Sequence, residues 1–223
     1  MAERHFPNSH GSKRGTRQDG DSTRAHLLDV AGRLFAERGY LGTSSKDICL
    51  EAGVNMAAVN YHFGSRDGLY GAVLVEAHRQ VVSEESLLAF AKADAPPRER
   101  IRALIAHFVA QARRGAESWG FRVVLREIMA PTPMANTLVD VAVAPKAGIM
   151  SGLMAALLDL PPDHPTVQRA VMMTIVPCIT MLLGPEGLRT RVLPGLSPQS
   201  EGLADDMTIF VLAGLDALAA AKR

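Results

Sequence analysis

From Thr23 onward the apolar residues of this chain recur three and four positions apart, and nowhere do they alternate in twos for long enough to make a strand. That pattern points to an all-α fold, because a helix that buries one stripe must pack it against other helices when no sheet is available. With 223 residues, 48% of them hydrophobic, the chain has the material for one large core or two modest ones.

The punctuation sets the helices. Leu27, Leu28, Val30, Ala31, Leu34 and Phe35 mark a helix from about Ser22 to Arg38, which Gly39 stops. A Thr/Ser cap then opens a brief helix carrying Ile48, Cys49 and Ala52, and Gly53 ends it. An equally short helix is expected from Asn55 or Met56 to Phe63. Ser65 caps a long one from Arg66 to about Phe90, with Leu69, Val73, Ala77, Val81 and Leu88 facing inward and Asp67 at the positive end of its dipole. Further helices are expected over 98–114, 118–129, 134–159, 164–183 and 202–222, separated by Pro- and Gly-rich joints such as "LPPDHP". The sum is about nine helices in two groups.

Three helices in the first group, the last two short and joined by a Gly-containing turn, outline a helix-turn-helix. Such a module reads DNA when one helix presents hydrogen-bonding side chains to the major groove and its neighbours hold phosphates. Asn55, Asn60, Tyr61 and His62 supply such groups on the third helix, while Val59 and Phe63, four apart, form its anchor. Asn60 has the chemistry for a two-point contact to adenine. Thr43, Ser44, Ser45 and Lys46 surround the start of the second helix, where free N–H groups favour an anion, and Arg66 opens the fourth. Each of these caps also has an ordinary structural use.

The stretch "AGRLFAERGYLGTSSKDICLEAGVNMAAVNYHFGSRDGLYGAVL", residues 31–74, resembles the TetR family of one-component transcriptional regulators, and the likeness extends over about 22–75. It implies a flexible basic arm over 1–21, a DNA-binding head over 22–75 and a helical ligand-binding and dimerisation domain over 76–223. The expected partners are a double-stranded DNA operator, a second copy of the chain and a small-molecule effector. Carried over by position, Thr43 and Ser45 are expected to contact the DNA backbone, Met56, Ala57 and Asn60 the groove, Tyr61 and His62 the backbone beyond it, and Arg66 a phosphate. Family members often carry an aromatic residue where this chain has Asn60. The segments "FRVVLREIMAPTPMANTLVDVAVAPKAGIMSGLMAALL" and "VMMTIVPCITMLLG" resemble a subgroup with a particular C-terminal domain, often associated with transport or efflux genes.

In that second region adaptable side chains accumulate. Met129, Met150, Met154 and Met173 can line a pocket that accepts several apolar shapes, or simply fill a core. His107, Trp119, Arg122 and Arg126 add polar and aromatic candidates for a ligand, the two arginines four apart on one helix face. Val167, Val171, Ile175, Ile179 and Leu182, with Leu203, Met207, Phe210, Val211, Gly214, Leu215 and Leu218, are expected to face a dimer seam or an intrachain core.

Other chemistries find little support. Cys49 and Cys178 lie far apart with no metal or redox spacing, and no H-x-x-x-H, H-E-x-x-H or C-x-x-C motif is present, so neither metal nor cofactor is expected. Glu127 and Asp140 are carboxylates without a visible nucleophile or base, which argues against an enzyme. The net charge is only +1, although Arg4, Lys13, Arg14 and Arg17 outweigh Glu3 at the start. No apolar run of signal-peptide length opens the chain, and Pro, Gly or Asp interrupts the later apolar segments. A cytoplasmic protein without a membrane span is therefore expected.

Overall fold

The structure is a computed structural model that describes residues 13–115, 118–183 and 187–221. Among them no strand occurs, as the periodicity requires. Two compact units divide after Val73.

In the first unit, α1 (Lys13–Arg38) starts earlier than expected, so 13–21 continues the helix rather than forming an arm; Arg4 lies outside the described residues. Leu27, Ala31, Leu34 and Phe35 form its buried stripe. α2 (Ser45–Ala52) is started by a reciprocal capping box, in which the Asp47 N–H donates to Ser44 Oγ while the Asp47 carboxylate accepts from the Ser44 N–H. Its end needs glycine, because Gly53 sits at φ 66° in the left-handed region. Asn55 caps α3 (Met56–Phe63) by accepting from the Ala58 N–H at 3.1 Å. α4 (Arg66–Val81) follows at once, with Ser65 Oγ accepting from the Gly68 N–H at 3.0 Å. Ile48, Val59 and Leu69 are fully buried, and the Tyr70 ring meets Phe35 edge-on at 4.7 Å.

α4 stops at Val81, short of the expected Phe90. Ser83 accepts from the Ser86 N–H and caps a separate helix, α5 (Glu84–Lys92), whose buried residue is Leu87 rather than Leu88. α6 (Pro97–Gly115), α7 (Trp119–Met129), α8 (Ala135–Leu138), α9 (Ala144–Leu158), α10 (Pro165–Leu183) and α11 (Leu203–Ala220) complete the second unit. Ile101, Leu104, Ile105, Met150, Met154, Leu158, Val167 and Leu215 form its core.

Residues 135–158 run as one helical stretch, apolar and long enough by length and composition to cross a membrane. The helix expected over 134–159 is thus present, and Asp140 and Pro145, residues of the types expected to interrupt such apolar segments, do not break it. The wider π turn over Val139–Val143, closed by the Ala144 N–H donating to Val139 O, comes immediately before Pro145 and relaxes the backbone where the proline ring would crowd the preceding turn. That stretch delivers Met150, Leu153, Met154 and Leu158 to the core of the second unit.

Candidate functional site

The helix-turn-helix of the first unit is set by local chemistry. Met56, Ala57, Asn60 and Tyr61 occupy positions i, i+1, i+4 and i+5 of α3 and are all exposed, Tyr61 by 84%. Val59 is buried on the opposite face, and the Arg24 guanidinium lies 5.0 Å above the Phe63 ring. His62 is half-buried, with its ring 4.9 Å from that of Tyr61. The four exposed side chains therefore make one continuous surface of the size and polarity that enters a major groove.

Two residues expected at the DNA backbone also carry internal hydrogen bonds. Thr43 is 1% exposed and its hydroxyl donates to Leu34 O at 3.3 Å and Gly39 O at 3.0 Å, closing the turn between α1 and α2. Arg66 donates through Nε to Thr43 O at 2.8 Å and through Nη2 to Tyr40 O, and its guanidinium lies 4.2 Å from the centre of the Tyr40 ring. It ties the start of α4 to the turn before α2. Tyr40 also donates to Asp67 Oδ1 at 2.7 Å, and this bond chiefly raises the phenol's pKa. The start of α2 keeps the Ser45 and Lys46 amides, which have no intrahelical acceptor, with Ser45 half-buried and the Lys46 side chain exposed. The Asp47 carboxylate beside them, held below the usual range by its bonds from Ser44, already supplies negative charge to that helix end. His26 Nε2 lies 3.1 Å from Ala52 O and links α1 to the end of α2, a contact across 26 residues that no local pattern announces.

In the second unit the candidate ligand residues separate into an interior and a surface set. Trp119, Met150 and Met154 are buried, and Thr174 Oγ1 lies 4.0 Å from the Met154 sulfur. His107 is half-buried, its ring edge-on to Phe90 at 5.4 Å. Arg122, Arg126 and Met129 lie on the exposed face of α7, the opposite side of that helix from Phe121, Val123 and Val124. These three do not join the interior set. Met173 is exposed on α10 and lines an open apolar groove against α11 of about 800 Å³. Glu127 is buried because its carboxylate accepts from the Thr132 N–H and hydroxyl, both at 2.9 Å, and so fastens the loop after α7.

One polar pair escaped the sequence reading. Lys146 Nζ lies 2.8 Å from His78 Nδ1, joining α9 to α4 across 68 residues. Burial, then the Lys146 charge, pushes His78 down to about 4, and burial chiefly lowers Lys146. The available signal was that Lys146 is the single basic residue in the apolar stretch 135–158. No group of His, Cys, Asp and Glu suited to a metal occurs among the described residues.

Residues 27–73 match the family described as "Bacterial regulatory proteins, tetR family", and residues 97–215 match the domain described as "HTH-type transcriptional dual regulator CecR, C-terminal domain". Among characterised relatives, the HTH-type transcriptional regulator AcrR of Shigella flexneri is 34% identical over 94 residues, covering 42% of this chain and 43% of that protein. The HTH-type transcriptional activator FasR of Mycolicibacterium smegmatis is 30% identical over 132 residues, covering 59% of this chain and 58% of that protein. The chain thus spans about half the length of these relatives. HlyIIR, a hemolysin II transcriptional regulator, shares the fold with a TM-score of 0.60 at 18% identity, over 86% of this chain and 97% of its own. A TetR/AcrR-family regulator from Thermobifida fusca does so with a TM-score of 0.54 at 20% identity, over 91% and 99%. With the exposed face of α3 and matches to both units, the chain belongs to the tetR family of bacterial regulatory proteins, and its second unit carries a CecR-type C-terminal domain.

Proposed function

We propose that the protein is a repressor that catalyses no reaction, acts as a homodimer on a palindromic operator, and is released from it by a small molecule held in the second unit. The observation that carries the reading is the exposed surface of Met56, Ala57, Asn60 and Tyr61 on a short helix fixed by Asn55. Asn60 is the base-reading residue, Tyr61 and His62 hold the backbone beside it, and Ser45 and Lys46 meet a phosphate at the start of α2.

The dimer reading rests on the outer faces of α10 and α11. Met172, Met173 and Val176 on one helix and Ile209 and Phe210 on the other are exposed, Phe210 by 72%, and the groove of about 800 Å³ runs between them. A contiguous apolar face of this kind, on two long neighbouring helices, suits the same face of a second copy, because a twofold contact is self-complementary. The expected seam is displaced around each helix. Val167, Val171, Leu203, Met207, Val211 and Leu215 serve the intrachain core, while Phe210 and Gly214 remain on the outer face; the side chain of Leu182 lies outside the described residues.

Selection of genomic fragments with the purified protein, followed by footprinting and binding at several salt concentrations, tests the reading. The expected product is a palindrome with half-site centres about 34–36 Å apart or a multiple of that, and affinity that falls with salt as phosphate contacts require. Sequence-indifferent binding overturns it. Activation is the second reading, favoured by the name of the relative FasR and by the "dual regulator" that names the matched C-terminal domain. A reporter driven from the selected operator separates the two by the sign of the response.

A further inference from the structure

We infer that the Lys146–His78 pair is the head-group seat of an anion-binding site in the second unit, taking a ligand that carries one carboxylate on an apolar body. Lys146 is 8% exposed, and its ammonium has three N–H donors, of which His78 Nδ1 takes one. Among the described residues no carboxylate is ion-paired with it. Glu84, at the start of α5, acts on Lys146 only at a distance. Glu76, two residues before His78 on α4, is engaged by Arg79 through both oxygens at 2.7 Å and by Gln80. A buried cation with open donors is costly until an anion meets it.

The position selects the class of ligand. One positive charge balances one negative charge, which favours a carboxylate over a phosphate dianion. On α9 Lys146 is followed at i+4 and i+8 by Met150 and Met154, both packed in the core of the second unit, so an apolar body that follows this stripe from the cation must displace their adaptable side chains. His78 is only half-buried, which leaves the pair open toward its side. The inference rests on the reading of the second unit as an effector domain and names the effector's chemistry.

The test titrates the full-length protein with straight-chain carboxylates from acetate to dodecanoate and with the matching alcohols. The sole tryptophan, Trp119, reports binding. It precedes Gly120, which abuts Ala77 and Gln80 near the end of α4. A longer carboxylate is expected to bind roughly tenfold or more tighter than its alcohol, as a charged hydrogen-bonded contact warrants. Lys146→Met is expected to erase that difference without lowering the melting temperature, and His78→Gln to reduce it several-fold. Equal affinity for acid and alcohol, an unaltered preference in Lys146→Met, or no binding across the carboxylates overturns the inference. Operator binding separates the two readings. Lys146-dependent binding with operator affinity unchanged at saturation leaves the anion site standing and removes ligand release. Release by some other compound, with carboxylates inert, does the reverse.

Discussion

Arg66 donates to two backbone carbonyls and lies against Tyr40, which makes it a clamp of the head as well as a cation near its surface. Arg66→Ala is expected to cost about 1–3 kcal/mol of stability and to weaken every operator variant alike. Arg66→Lys keeps the charge but not the planar fork, so it should restore the salt dependence of binding more than the melting temperature. Thermal melts beside salt titrations check both, and an unchanged melt in Arg66→Ala removes the clamp. His78 makes a second test. Its imidazole is pushed to about 4 in the folded chain, whereas in the unfolded chain it protonates near 6.5. Between those values the unfolded state binds more protons, so stability is lost as pH falls through the window, by up to roughly 3 kcal/mol. His78→Gln should flatten that part of a stability profile measured from pH 7 to 4. Neither role was legible beforehand, because the partners of Arg66 and His78 lie 23 and 68 residues away.

At the scale of the element, caps and turns account for what could be read. Ser44, Gly53, Asn55 and Ser65 each act within four residues of their own position, so the limits of α2 and α3 follow from local spacing. The end of α4 does not. Buried Val81, Val82 and Leu87 keep the helix well supplied with apolar residues across the break, and the cap at Ser83 competes only once those residues have packed. Two glycines give a comparison. Gly53→Ala meets no neighbour within 4 Å and is expected to cost only the left-handed backbone penalty, about 1–2 kcal/mol. In Gly68→Ala the new methyl would come 2.1 Å from Phe63 O, so α4 must shift against the end of α3 and the loss should exceed that of Gly53→Ala. Chemical denaturation of the two variants checks the order.

For the whole molecule the outer face of α10 and α11 decides the assembly. Phe210→Glu places a charge at the centre of that face while leaving Val211 and Leu215 in the core. It is expected to give a folded monomer at micromolar concentration and to lose most operator affinity, since two tethered heads bind far better than one. Light scattering should show the mass halved relative to the parent chain, and an unaltered mass places the interface elsewhere.

The sequence by itself determined an all-helical chain, the limits of its helices apart from the start of α1 and the break between α4 and α5, and the exposed face of α3, because capping, glycine conformation and apolar period act within one or two turns. Only the tertiary structure decided that Thr43 and Arg66 turn into the head, that Lys146 meets His78, and which sides of α10 and α11 remain uncovered. Those outcomes depend on which distant surface arrives against a residue. Two adjacent apolar stripes on one helix look equivalent until the neighbouring helices cover one of them.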